Sequence, residues 1–99
     1  MRRIVIAPSF DEELLAISAY IEAKFGERAA DEFEDRFRSI SRTLAHAPLI
    51  GRTTHGYNTS LFGFIMSPCW VFYRFTDDDI TFIHIRDGRM HKPLQTFSE

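Results

Sequence analysis

The chain has 99 residues, 44% of them apolar and 26% charged, with a formal net charge of −2. That length holds one domain with a modest core and excludes two, and the charge excludes a global basic field that would recruit nucleic acid. A single cysteine, Cys69, excludes a disulfide framework and a cysteine-based metal site; set in an apolar run, it is expected to be a buried structural thiol.

The N-terminus, Met1-Arg2-Arg3 followed by Ile4 to Ala7, has the basic start of a signal peptide, but its apolar run is too short and Pro8 breaks it. No stretch approaches membrane-spanning length, so a soluble, cytoplasmic protein is expected. Arg3 to Ala7 predicts a first strand. Ser9 and Glu12 match a capping box, each side chain able to accept from the other's backbone amide. The helix they open carries Leu14, Ile17, Tyr20, Ile21 and Phe25 at helical spacing and stops at Gly26.

A second helix is predicted from about Glu27 to Ala47, with a stripe of Ala30, Phe33, Phe37, Ile40 and Leu44. Its acids come early and its bases late, as the helix dipole favours. Glu32→Arg36 and Glu34→Arg38 are four-residue pairs worth roughly 0.2–0.5 kcal/mol each, so the charge run is explained as a solvated face. The two helices form an antiparallel hairpin. Pro48 ends the second, and Leu49 to Ser60 reads as a loop.

Leu61 to Met66, Cys69 to Phe75 and Ile80 to Arg86 predict three strands, turned at Ser67-Pro68 and at Asp77-Asp78-Asp79. The middle run is apolar on both parities, with Cys69, Val71, Tyr73 and Phe75 on one face and Trp70 and Phe72 on the other. It is therefore the central strand, covered on both sides. In the last strand, Ile80, Phe82, His84 and Arg86 are expected on one side, Thr81, Ile83 and Ile85 on the other. The whole chain, residues 1–99, is expected to be one α+β domain of order β-α-α-β-β-β. An antiparallel helical hairpin packs on one face of a small, mainly antiparallel sheet, and residues 87–99 form a basic C-terminal tail.

Ten Phe in so short a chain suggest more apolar surface than one helical layer covers. Phe62, Phe64, Trp70 and Phe72 are expected to include residues on the sheet's other face, covered by Leu94 and Phe97 of the tail or by a partner. His84, Arg86, Arg89 and His91 cluster at the end of the last strand, with Arg74 on its neighbour. Such a set would suit RNA cleavage, arginines holding a phosphate beside a histidine that moves a proton; solvated strand-end charges are the plainer reading. The three aspartates lack the spacing and distal Glu of a calcium loop, and the sequence has no phosphate-binding glycine loop or nucleophile motif. No cofactor or metal is expected.

In order and spacing, several pieces resemble the ParE/RelE toxin superfamily, on the ParE side. They are Ser9 with its acidic first turn, Tyr20-Ile21-Glu22 before Phe25-Gly26, Ala30 and Phe33, Pro48-Leu49-Ile50-Gly51-Arg52, Val71-Phe72-Tyr73-Arg74, and Ile85-Arg86-Asp87-Gly88-Arg89. The resemblance implies the toxin of a bacterial type II toxin–antitoxin pair that poisons DNA gyrase. It further implies a small ParD-like antitoxin, whose C-terminal segment wraps the hairpin and sheet to hold the toxin inactive. On that reading Arg86, Arg89, His91 and Lys92 contact the target, and Leu14, Ile17, Ile21, Phe33, Phe37, Phe62, Phe64 and Trp70 contact the antitoxin. No catalytic residue and no sequence-specific nucleic-acid contact is then required.

The alternatives are a ribosome-dependent mRNA interferase of RelE type, using His84, Arg74, Arg86 and His91, and a non-toxic antitoxin-binding relative. Family members often have Arg where this chain has Phe62, and His where it has Asp87. The first change removes a phosphate-holding cation and the second puts a carboxylate where an imidazole could assist, so both weigh against the nuclease.

Overall fold

The computed structural model describes residues 1–53 and 61–88. The elements are β1 (Arg3–Ile6), α1 (Pro8–Phe25), α2 (Glu27–His46), a 3-10 turn (Pro48–Ile50), β2 (Arg52–Thr53), β3 (Phe62–Met66), β4 (Cys69–Phe75) and β5 (Asp79–Asp87). They form one sheet of order β1-β5-β4-β3-β2, in which β4 is central, as its two-sided apolar pattern requires. Only β1 against β5 is parallel; the other neighbours are antiparallel.

The predicted capping box does not form. Pro8 takes the first helical position, where its missing N–H costs nothing, and Ala7 is the cap residue with no side-chain bond. The Ser9 hydroxyl instead donates to the Ile83 carbonyl at 2.7 Å, tying α1 to the last strand. Gly26 ends α1 and starts α2 as a single joint. Its φ of 98° is positive as expected, but its ψ of 167° is extended rather than left-handed helical, a region open essentially to glycine alone. The Gly26 amide closes α1 on the Glu22 carbonyl, and its carbonyl opens α2 by accepting from Ala30.

α2 follows its predicted stripe: Ala30, Phe33, Phe37 and Leu44 are buried, with Ile40 half-buried. Arg38 lies 3.8 Å from Glu34, whereas Arg36 donates to the Ser67 carbonyl at 2.9 Å and Glu32 stands beside Arg28. The inward face of α1 is set further back than predicted. Phe10 is its fully buried member and Leu14, Ile17 and Ile21 pack half-buried on the same core, while Tyr20 and Phe25 are exposed.

The Phe surplus goes largely into one core. Phe10 meets Phe37 at 4.8 Å between ring centroids and Phe37 meets Phe82 edge-on at 5.2 Å, a favoured aromatic geometry. Phe62 and Phe64 join this helix-side core rather than the other face, Phe62 stacking on Tyr73 at 5.9 Å. Cys69, Val71, Tyr73 and Phe75 point to the helices as predicted; Trp70 and Phe72 point away, into a second cluster with Leu61 and Ile83. Phe72, Leu61 and Ile83 are buried there, so that part of the face is closed, and its exposed apolar residue among those described is Ile65, paired with Trp70 toward β3. Leu94 and Phe97 lie outside the described residues.

The stretch read as a loop after Pro48 contains a 3-10 turn and a short edge strand, Arg52 and Thr53 pairing with Gly63 and Phe62. Tyr73 fixes it by donating its hydroxyl to the Pro48 carbonyl at 2.5 Å. A Cβ at Gly51 would overlap that hydroxyl, so only glycine fits. Burial pushes the Tyr73 phenol up to about 12, partly offset by the backbone hydrogen bond from Gly51.

β5 departs from strict alternation. Phe72 pairs with His84 but Tyr73 with Phe82, so Ile83 is an extra residue in a bulge. Phe82 and Ile85 therefore both reach the helix-side core, and Ile83 the opposite cluster, which overturns the simple two-sided division of this strand.

Candidate functional site

β1 covers only the first part of β5, from Asp79 to Phe82, and its hydrogen bonding ends where the Ala7 amide meets the Phe82 carbonyl at 3.0 Å. Beyond that point α1 supplies side chains in place of a strand. Ser9 satisfies the Ile83 carbonyl, and Glu13, one turn further along α1, accepts from the Ile85 amide at 3.1 Å. Two groups spaced one helical turn apart thus cap a sheet edge that would otherwise leave backbone polar groups unpaired.

The Glu13 carboxylate carries more than that bond. His84 Nδ1 lies 3.2 Å from one oxygen and 3.3 Å from the other, and Arg86 Nη1 is 3.0 Å from Oε2. An ionised carboxylate only accepts, so it sets Nδ1 as a protonated nitrogen. The His84 side chain is only 6% exposed, whereas that of Arg86 is 35% exposed and reaches solvent. The structure thus brings together two of the predicted site residues, His84 and Arg86, through a third, Glu13, that sequence spacing did not single out.

The remaining candidates are distributed differently. Arg74 pairs across the ladder with Thr81, whereas Arg86 pairs with Trp70. The two arginines are thus separated by four residues of β4, about 13 Å along the strand. Arg74 does not join the His84–Arg86 cluster. Arg89, His91 and Lys92 lie outside the described residues. Asp87 is buried and lines a groove of about 290 Å³ with Ile17, Tyr20, Ile21, Phe25 and Pro68 among its walls. Among the described residues no group of three His, Cys, Asp or Glu side chains is placed to hold a metal ion, and no helix is long and apolar enough to cross a membrane.

Of the residues assigned to antitoxin contact, Phe33 and Phe37 are 5% and 6% exposed and belong to the core; they have almost no surface to offer. Leu14, Ile17, Ile21, Phe62, Phe64 and Trp70 are half-buried. The exposed apolar surface lies elsewhere: Leu15, Tyr20 and Phe25 on α1 are 58%, 45% and 69% exposed, and Leu49, Ile50 and Ile65 form a second group near β2 and β3. Leu15 could have been found from sequence, because it falls off the apolar stripe of its helix, whereas Tyr20 and Phe25 belong to that stripe and are exposed all the same.

A family model described as the ParE toxin of the type II toxin–antitoxin system parDE matches residues 4–92. Among curated proteins no sequence match is found. Among solved structures, the chromosomal ParDE toxin–antitoxin system from P. aeruginosa superposes with a TM-score of 0.74 at 13% identity, covering 88% of this chain and 96% of that one. At that identity the likeness is one of fold, and it includes the two helices on a mainly antiparallel sheet described above.

Proposed function

This chain belongs to the ParE toxin family of type II toxin–antitoxin systems, and from that premise we propose that it inhibits DNA gyrase and is neutralised by a ParD-like antitoxin laid across α1. The observation that carries the antitoxin part is the outward face of α1, where Leu15 and Tyr20 stand exposed with Ala16, Ala19 and Ala23 around them. A helix apolar on its outward face as well as its inward one loses free energy to water until a partner covers it. A second apolar helix or extended segment fits this surface, since small alanines allow close approach and Leu15 and Tyr20 supply anchors.

Gyrase as target is the reading that resemblance to the family suggests, and the chemistry at the end of β5 supports it over the nuclease. The nuclease alternative requires an accessible imidazole and arginines free to hold phosphate. Here the imidazole of His84 is buried against Glu13, Arg86 is paired with the same carboxylate, and Arg74 lies at the other end of the ladder. A carboxylate at the centre of the cluster repels the phosphate it would have to bind. Arg86, followed by Arg89, His91 and Lys92, is instead assigned to contact with the protein target.

Tight induction of the protein alone in bacteria, with DNA and protein synthesis followed side by side, tests this reading. DNA synthesis is expected to fail first, with filamentous cells and cleaved chromosomes, and co-expression of the antitoxin to restore growth. Early collapse of protein synthesis with cleaved transcripts would replace gyrase by the ribosome. Undisturbed growth with soluble protein accumulating would leave an antitoxin-binding relative without toxicity.

A further inference from the structure

The Glu13 carboxylate is placed to do something no single bond in the cluster explains. One oxygen takes the Ile85 amide, which fixes the carboxylate relative to the backbone of β5, and the other takes Arg86 Nη1. His84 packs its ring nitrogen against both oxygens and is almost wholly buried, so it fills the space in which the carboxylate would turn. A guanidinium held at one nitrogen by a carboxylate that is itself fixed at two further points has lost much of the rotamer freedom of a surface arginine.

From this we infer that Glu13 is a positioning residue for the toxin's contact with its target, holding the Arg86 guanidinium in one orientation at the exit of β5, with His84 as the wedge behind it. The inference rests on the reading above that Arg86 contacts the target. The fixed arginine suits a protein surface that offers neutral carbonyl oxygens, where a preset fork geometry lowers the ordering cost of binding. It does not suit a phosphate backbone, because the pair has no net charge to attract one.

The test combines a direct reading of the side chain with a double-mutant cycle, on the full chain. In nitrogen-labelled protein the Arg86 guanidinium signal, assigned by its loss in Arg86→Lys, is expected to be sharp and slowly exchanging. It should broaden in Glu13→Gln, which keeps an oxygen for the Ile85 amide but removes the charge. Glu13→Gln and Arg86→Ala are each expected to raise the concentration needed for half-inhibition of gyrase supercoiling about tenfold, the scale of one charge-assisted contact. The double variant is expected to be no weaker than Arg86→Ala alone, because both act through one group. Antitoxin affinity should stay within about twofold in all three, as expected for residues outside the covered surface.

An unchanged Arg86 signal in Glu13→Gln, or losses that multiply in the double variant, would overturn the positioning role. If Glu13→Gln is too unstable to assay, Arg86→Lys decides by its potency, since it keeps the charge without the fork; full potency in that variant overturns the role. If the wild-type protein leaves gyrase untouched, the target reading fails on its own. The same cycle read as growth arrest on induction, together with the guanidinium signal, then still decides whether Glu13 acts through Arg86.

Discussion

α1 and α2 leave the same glycine and pack on the same sheet, yet their surfaces are built differently. α2 divides cleanly: Ala30, Phe33, Phe37 and Leu44 face the core, and Asp31, Glu32, Asp35, Arg36, Arg38 and Arg42 face water. α1 buries Phe10 as deeply as any residue, but it also exposes Leu15, Tyr20 and Phe25. It lends Ser9 and Glu13 to the edge of β5 as well. One helix answers to a single apolar environment, the other to a core, a sheet edge and an outward apolar face. The helix whose pattern its own core does not explain is the one expected to carry the contact with a partner.

Substitutions can break this contrast. Phe37→Ala removes a ring packed on Phe10 and Phe82 and is expected to cost about 3–5 kcal/mol in chemical denaturation. Phe10→Ala should cost as much, because inward faces are equivalent on the two helices. Leu15→Asp should change stability by no more than about 0.5 kcal/mol. Its effect should fall on antitoxin binding, weakened about thirtyfold or roughly 2 kcal/mol in a titration, as for an interface anchor. A loss of folding with binding intact would reverse the assignment of the two faces.

Smaller effects sharpen the account of the core beneath the helices. Tyr73→Phe leaves the Pro48 carbonyl without its donor and is expected to cost about 1–2 kcal/mol. The same residue gives a pH dependence of known sign. The Tyr73 phenol ionises near 10 when unfolded and at about 12 when folded, so the folded state favours the proton. That contribution is fully present below pH 10 and is lost as pH rises through 12, and Tyr73→Phe should flatten this part of the stability profile. On the outer face of α2, Arg28→Ala breaks an exposed pair with Glu32 and should change stability by less than about 0.5 kcal/mol.

What the sequence made legible follows from periodicity. The two-sided apolar pattern of Cys69 to Phe75 identified the central strand and sorted its side chains correctly, and the stripe of α2 emerged nearly whole. What stayed hidden depends on contacts across the chain. A bulge at Ile83 leaves no trace in the alternation of β5 until its neighbour's register is known. Glu13 lies 71 residues from His84, and in sequence it looked like one more acid in the first turn of a helix. Ser9 matched a cap pattern that Pro8 made unnecessary, which freed its hydroxyl for the sheet. Phe33 and Phe37 lie in the core rather than on a partner surface, as the periodicity of α2 that reveals them already implies.

The most direct test is a supercoiling assay with purified gyrase, plasmid DNA and this protein, repeated with Leu15→Asp and with the antitoxin titrated into each. Supercoiling should stop and cleaved DNA accumulate with either form of the protein, and on titration the antitoxin should restore the wild-type reaction at concentrations that leave the Leu15→Asp reaction inhibited, the two curves lying about thirtyfold apart. Full supercoiling in the presence of the wild-type protein would contradict gyrase as the target. Equal rescue of both forms would contradict the outward face of α1 as the surface on which the toxin is silenced.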